Sequence, residues 1–231
     1  MDTMIKSIGI NWDWVKAHTM AGEKISGIGD LSTRQALLDH LDEAVNIARS
    51  KAASKIFVVK IKILKFNPDS IELDGGVRLS AKELSSYIKG ATDVYAFVVT
   101  IGGGVEEAAS SYMGKGDHLL GYLLDRIGSF AVESLAKNTE DTLRRALALE
   151  GSSVSMRFSP GYCDWPIEEQ FKLAKIIDFS KAGVILTENC MMIPKKSISA
   201  VVGVGAKELF SEVKSPCVLC NMKACNYRRV D

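Results

Sequence analysis

Apolar residues recur at helical spacing through Leu37, Leu38, Leu41, Val45 and Ala48, which predicts an amphipathic helix starting near Thr33 with Ser32 or Thr33 as its cap. From Ile56 to Leu64 the period changes to two. β-branched residues alternate there with Lys60 and Lys62, the pattern of a strand with one wet face. Asp74-Gly-Gly76 supplies positive-φ positions between Ile71 to Leu73 and Val77 to Leu79, so a short hairpin is expected, followed by a short helix from Ser80 to Lys89. Val94 to Thr100 is continuously apolar and predicts a buried central strand. The chain then turns through Ile101-Gly-Gly-Gly104 and is helical from Val105 to about Leu149, with a break at Gly114 to Gly116 because glycine weakens a helix interior. Val154 to Phe158, Val184 to Leu186 and Ile198 to Val204 read as strands, and Ile167 to Ile177 as a helix. The first thirty residues, punctuated by Gly9, Gly22, Gly27 and Gly29, show no clear period and read as an arm or loop.

These elements mix without regular βαβ alternation. The fold class they predict is α+β, with a mixed, largely antiparallel twisted sheet and long helices rather than a doubly wound sheet. Three stretches are expected, forming one compact unit: a helix-and-hairpin region over 1–90, a core over 91–210 and a Cys-rich tail over 211–231.

Composition narrows the function classes. Hydrophobic residues make up 47% of 231, enough for a genuine core. Lys and Arg number 29 against 28 Asp and Glu, so no broad positive field exists to draw the chain to nucleic acid or acidic membranes. No apolar run reaches the roughly 20 residues that span a bilayer, and the N-terminus lacks a signal-peptide pattern, so a cytoplasmic protein is expected. Five cysteines are then expected to stay reduced, which turns attention to metals or reactivity.

Two segments carry candidate chemistry. Thr100-Ile-Gly-Gly-Gly104 links a strand to a helix, where backbone N–H groups can meet a ligand. It matches neither a P-loop nor a dinucleotide fingerprint, and Glu106 and Glu107 disfavour phosphate, so a plain tight turn is the simpler reading. Arg157-Phe-Ser-Pro-Gly-Tyr-Cys-Asp-Trp-Pro166 holds donors and aromatics in a frame with two turn signals, Pro160-Gly161 and Trp165-Pro166. It suits a ligand site, while a purely structural role stays open in which Tyr162 and Trp165 cover the core and Arg157 pairs with Glu168 or Glu169. His18, His40 and His118 match no metal-ligand spacing and read as surface or capping residues.

From Tyr95 to about Val204 the chain resembles the S-adenosylmethionine-binding reactivation domain of cobalamin-dependent methionine synthase, and its short free-standing relatives beside corrinoid methyltransferases. The landmarks are Phe97-Val-Val-Thr-Ile-Gly-Gly-Gly104, Asp125-Arg126, Arg157-Phe-Ser-Pro-Gly-Tyr162, Leu186-Thr-Glu followed by Met192-Ile-Pro, and Ser197-Ile-Ser199. The resemblance implies an activation-domain-like fold and an accessory role in corrinoid methyl transfer, supporting methionine synthase or reactivating a corrinoid protein with S-adenosylmethionine, as a methionine synthase-related methyltransferase component. It implies that Arg126 and Arg157 contact the ligand's polar groups while Gly161 and Tyr162 shape its pocket; an Arg fork suits a carboxylate. Two departures stand out. The family's acidic residue one turn after Arg126 falls at Ser129, with Glu133 a turn further on, and its paired tyrosines have no counterpart between Val201 and Phe210. No Asp-x-His-x-x-Gly signature occurs, so cobalamin is expected to arrive on a partner, a corrinoid protein or methyltransferase.

Cys217, Cys220 and Cys225 form a further candidate that the resemblance does not supply. A C-x-x-C pair and a third cysteine can bind zinc or an iron-sulfur cluster, with Cys163 or Cys190 as the fourth ligand. A cluster makes the chain an alternative redox module, passing electrons to a corrinoid protein. Three thiols without a metal, or a non-catalytic methyltransferase-binding module, are the simpler alternatives.

Overall fold

A computed structural model describes residues 3–4 and 8–210 of the chain. Its centre is an antiparallel sheet in the order β4-β3-β2-β5-β9-β6, and β1 (Thr3–Met4) joins β2 as well. β2 (Lys55–Asn67) runs beside β5 (Asp93–Thr100) in register from Lys55 opposite Thr100 to Lys62 opposite Asp93. β9 (Ser197–Ala206) covers the other edge of β5, and β6 (Ser152–Val154) lies outside β9. The expected hairpin is present as β3 (Ser70–Leu73) and β4 (Arg78–Ser80). A separate two-stranded ribbon joins β7 (Ile185–Leu186) to β8 (Met192–Ile193). The sheet therefore takes strands from both sides of residue 90.

β5 is apolar throughout because both its faces are covered. Phe97 and Val99 point into one core, with Ile101 just beyond the strand, while Val94, Ala96 and Val98 point into another. Alternate residues of a strand face opposite ways, so a double-sided strand loses the polar alternation of a one-sided one. The first core lies under α1 (Trp12–Gly22), α2 (Leu31–Lys51), α4 (Gly104–Gly114) and α5 (His118–Leu149). The second lies under α3 (Lys82–Tyr87), α6 (Gln170–Ile176) and the irregular chain between residues 157 and 186.

α5 is the spine of the helical layer. Asp117 caps it by accepting from the Leu120 N–H at 3.1 Å, and Leu120, Leu124, Ile127, Ala131 and Leu135 bury its inner face. The break from α4 falls where the glycines predict it. Gly121 lets α4 and α5 approach, since a Cβ there would stand 2.9 Å from the Ala109 carbonyl oxygen and 2.5 Å from Met113 Cγ.

Four local expectations differ from the structure. The strand expected over Val154 to Phe158 is present as the shorter β6, which ends at Val154, with only an isolated bridge at Phe158, because Met156 and Arg157 leave the sheet. The N-terminal arm is instead ordered as α1, capped by Asn11, with a 3-10 turn at Ile25–Gly27. Its order is tertiary: Ser134 of α5 accepts from the Asn11 N–H, and Asn138 of α5 donates to the Gly9 carbonyl. The cap of α2 is Asp30 rather than Ser32 or Thr33. Its carboxylate accepts from the Thr33 N–H at 2.7 Å and from the Ser32 hydroxyl at 2.8 Å, which lowers its pKa to about 2. The helix predicted over Ile167 to Ile177 opens with a 3-10 turn at Ile167–Glu169 before α6.

Candidate functional site

The Arg157 segment leaves the sheet at β9. Phe158 forms a bridge with Val201, exchanging backbone bonds of 2.8 and 2.9 Å, and its ring joins the second core. Side chains alternate here too, so Arg157 turns toward α5. Its guanidinium is 1% exposed and pairs through Nη2 with the Glu133 carboxylate. Burial pushes the Arg157 pKa down, but Glu133, Tyr162 and Glu140 together outweigh that and leave it above its ordinary value. The cation is thus secure. The ion pair expected with Glu168 or Glu169 is not the one formed; Glu169 instead binds Lys172 at 2.6 Å and the Ser80 N–H at 2.8 Å.

Beyond Phe158 the chain folds into a tight loop. Tyr162 donates its N–H to the Ser159 carbonyl, Gly161 to the Trp165 carbonyl, and Trp165 to the Tyr162 carbonyl, all between 2.8 and 3.0 Å. Gly161 sits at φ +92°, which a side chain would strain. The rings of Tyr162 and Trp165 lie 6.0 and 5.9 Å from that of Phe158, so this part of the structural reading holds: both help cover the second core. Two carboxylates pin the loop from outside. Asp164 accepts from the N–H groups of Lys82 and Glu83 and so caps α3, which lacks a cap of its own, while Glu169 holds Ser80.

Among the described residues, the buried side-chain nitrogen and oxygen atoms without a hydrogen-bond partner are Arg157 Nε and Nη1, Ser159 Oγ, Trp165 Nε1 and Gln170 Nε2. All fall between residues 157 and 170. Buried polar groups of a folded protein are normally satisfied, so such a concentration sets this segment apart from the rest of the described chain.

Arg126 has a different setting. It lies on α5 seven residues before Glu133, two turns or roughly 10 Å along the same face. Its Nε donates to Glu23 at 2.9 Å, and its guanidinium stands 5.2 Å from the Phe130 ring centroid. Tyr122 also donates to Glu23, at 2.9 Å, which raises the Tyr122 pKa. Between the two arginines, Lys196 reaches over Gly128 to Asp125 and Ser129, at 2.7 and 2.9 Å. Ser129, where the family pattern has an acid, therefore receives a lysine. Arg157, Gly161 and Tyr162 share one loop, whereas Arg126 lies on α5 against Glu23 and Gly22 of the N-terminal segment.

Other candidates are placed as follows. Gly102 has φ +76°, and Gly104 lies so near the Lys51 carbonyl that a Cβ would come within 2.6 Å, so the triglycine serves a turn and a close helix approach. His18 and His40 each contact a carbonyl of their own helix, and His118 opens α5. Cys163 is half-buried at φ +52° and Cys190 buried at φ +60°. Cys217, Cys220 and Cys225 lie outside the described residues, and no group of three possible metal ligands occurs among those described. No described helix is long and apolar enough to cross a membrane.

The model of the vitamin B12 dependent methionine synthase activation domain matches residues 80–213, more than half the chain. The chain belongs to that family. Membership supports a role in the reactivation of a cobalamin-dependent methionine synthase. A solved structure described as the MetH reactivation domain bound to AdoHcy superposes with a TM-score of 0.64 over 88% of this chain and 78% of that one. At 15% identity this likeness establishes the shared fold, an antiparallel sheet backed by long helices. No curated protein matches the chain. Within this activation-domain fold, sequence reasoning missed Glu23, Glu140, Arg144, Asp164 and Lys196 as neighbours of the site. Glu133, Glu140 and Arg144 were detectable as charges at spacings of seven and four on one helix face.

Proposed function

We propose that this activation-domain chain is a corrinoid methyl-transfer accessory protein that holds S-adenosylmethionine at the Arg157 to Tyr162 loop and presents it to a cobalamin carried by a partner. One observation carries the reading. Arg157 is buried, charged and only partly satisfied, with Nε and Nη1 unpartnered beside a glycine turn. A carboxylate matches those donors, and a charge-assisted bond in a dry site is stronger than one at the surface. Adjacent Glu133 supplies a complementary negative charge for an ammonium, so the pair suits an amino-acid headgroup. Gly161 leaves the loop backbone accessible, and Tyr162 adds an aromatic wall. Arg126, two turns along α5, enters the proposal as the distal polar contact and would have to exchange Glu23 for the ligand.

When bound, the ligand supplies an electrophilic methyl group. The chain's part is to orient that group and exclude water, and the nucleophile belongs to the partner's cobalamin. Calorimetry tests the ligand directly: saturable binding of S-adenosylmethionine is expected, with Arg157→Lys weakening it about a hundredfold, the scale of a misplaced bidentate contact. No heat at millimolar ligand would sink the reading. The cysteine set Cys163, Cys217, Cys220 and Cys225 is a separate proposal for iron-sulfur or zinc binding. Anaerobically purified protein should then contain metal; a metal-free preparation that cannot be reconstituted overturns it.

A further inference from the structure

We infer that Glu140 and Arg144, on α5, are positioning residues that aim the Arg157 guanidinium. This rests on the proposed function only in taking Arg157 as the ligand-binding group.

The sheet does not hold Arg157 by itself. β6 ends at Val154, and the next bridge to β9 is at Phe158. Ser155 still reaches Gly203, through its N–H and its hydroxyl, but no further sheet bond is made by Met156 or Arg157. Side chains of α5 fill that gap. Arg144 donates through Nη1 to the Val154 carbonyl at 2.5 Å and through Nη2 to the Ser155 carbonyl at 3.3 Å. The same Nη2 donates to Glu140 Oε1 at 2.9 Å, and the Arg157 charge in turn attracts the Glu140 carboxylate. Two backbone carbonyls at the interruption are therefore fixed by one ion pair.

Spacing on the helix makes this possible. Glu133, Glu140 and Arg144 follow one another at seven and four residues, so all face the edge of the sheet. Glu133 takes the tip of Arg157, Glu140 anchors Arg144, and Arg144 holds the preceding strand. The four charges alternate and sum to zero. Glu140 is 5% exposed and Arg157 1%, so any misplacement leaves a charge desolvated without its partner. Burial raises the Glu140 pKa despite Arg157 and Arg144, which agrees with a carboxylate kept there for its contacts rather than for solvation.

The test is the side-chain NMR signal of Arg157 Nε–H in the full chain, assigned by its loss in Arg157→Lys. Arg144→Lys keeps the charge but cannot reach two carbonyls and Glu140 together. The expected result is exchange of the Arg157 Nε–H with solvent about tenfold faster, the scale on which outer-shell partners act, with unchanged far-UV circular dichroism. Glu140→Gln, which keeps an acceptor of the same size, should shift the signal in the same direction by less, and covers the case in which Arg144→Lys does not fold. S-adenosylmethionine affinity should fall about tenfold in Arg144→Lys and show no further fall when that change is added to Arg157→Lys. An Arg157 signal unchanged in the folded variants overturns the inference, as does an equal loss of affinity in both backgrounds. Failure of the unaltered chain to bind S-adenosylmethionine removes the ligand reading alone, because the exchange measurement needs no ligand.

Discussion

The helical side of the sheet buries Phe97, Val99 and Ile101 under α4 and α5 with no buried side-chain polar atom left unpartnered, whereas the segment over 157–170, which crosses from that side at Arg157 to the other at Phe158, contains every such atom among the described residues. The first region is regular structure whose apolar stripe satisfies itself. The second is irregular chain fastened by long-range contacts: Asp164 on α3, Glu169 on Ser80, and the α5 charges on the strand before Arg157. The helices and strands form a scaffold, and the polar segment at its edge keeps unused bonding capacity, which the proposed function assigns to a ligand.

Substitutions can sharpen or break this contrast. The largest effect is expected in the helical core: Leu135→Ala, at a fully buried position of α5, should lower unfolding free energy by about 2–5 kcal/mol in urea titrations. A smaller loss would mean that the helical layer is less tightly packed than its burial implies. On the loop side, Asp164→Ala removes the borrowed cap of α3 and should cost about 1 kcal/mol in the same titration. Trp165→Phe is expected to change stability by less than about 1 kcal/mol, because lost ring contact is offset by removing a buried Nε1–H without a partner. A loss comparable with that of Leu135→Ala would place Trp165 among ordinary core residues and weaken the contrast.

The smallest effect is electrostatic and lies at the start of α2. The Asp30 carboxyl titrates at about 2 rather than 3.8, so its charge stabilises the fold at neutral pH, and that contribution disappears as pH falls from about 4 toward 2. Asp30→Asn should be less stable than the unaltered chain at pH 6, with the difference shrinking at pH 2.5. A difference independent of pH would assign the cap to geometry instead of charge.

Much of the scaffold was legible without coordinates. The two-residue period of β2, the apolar run of β5, the Asp74-Gly-Gly76 turn and the glycine break before α5 all report local preferences, and each element forms where the pattern places it. α1 was not legible because only Val15 and Thr19 are buried on it, and its order comes from Ser134 and Asn138 on a helix more than a hundred residues away. The site divides in the same way. Arg157, Gly161 and Tyr162 announce a loop with donors and a positive-φ turn, but no spacing along the chain tells that Glu133 takes Arg157, that Lys196 lies on Ser129, or that Glu23 takes Arg126.

By itself, then, the sequence determined the elements, the α+β class and the loop worth examining, because periodicity, turn chemistry and family motifs act over a few residues. Tertiary structure decided which charges meet. Ion pairs between segments depend on how helices and strands cross, and the crossing of α5 over the edge of β9 and β6 brings three charges of one helix onto Arg157 and the strand before it.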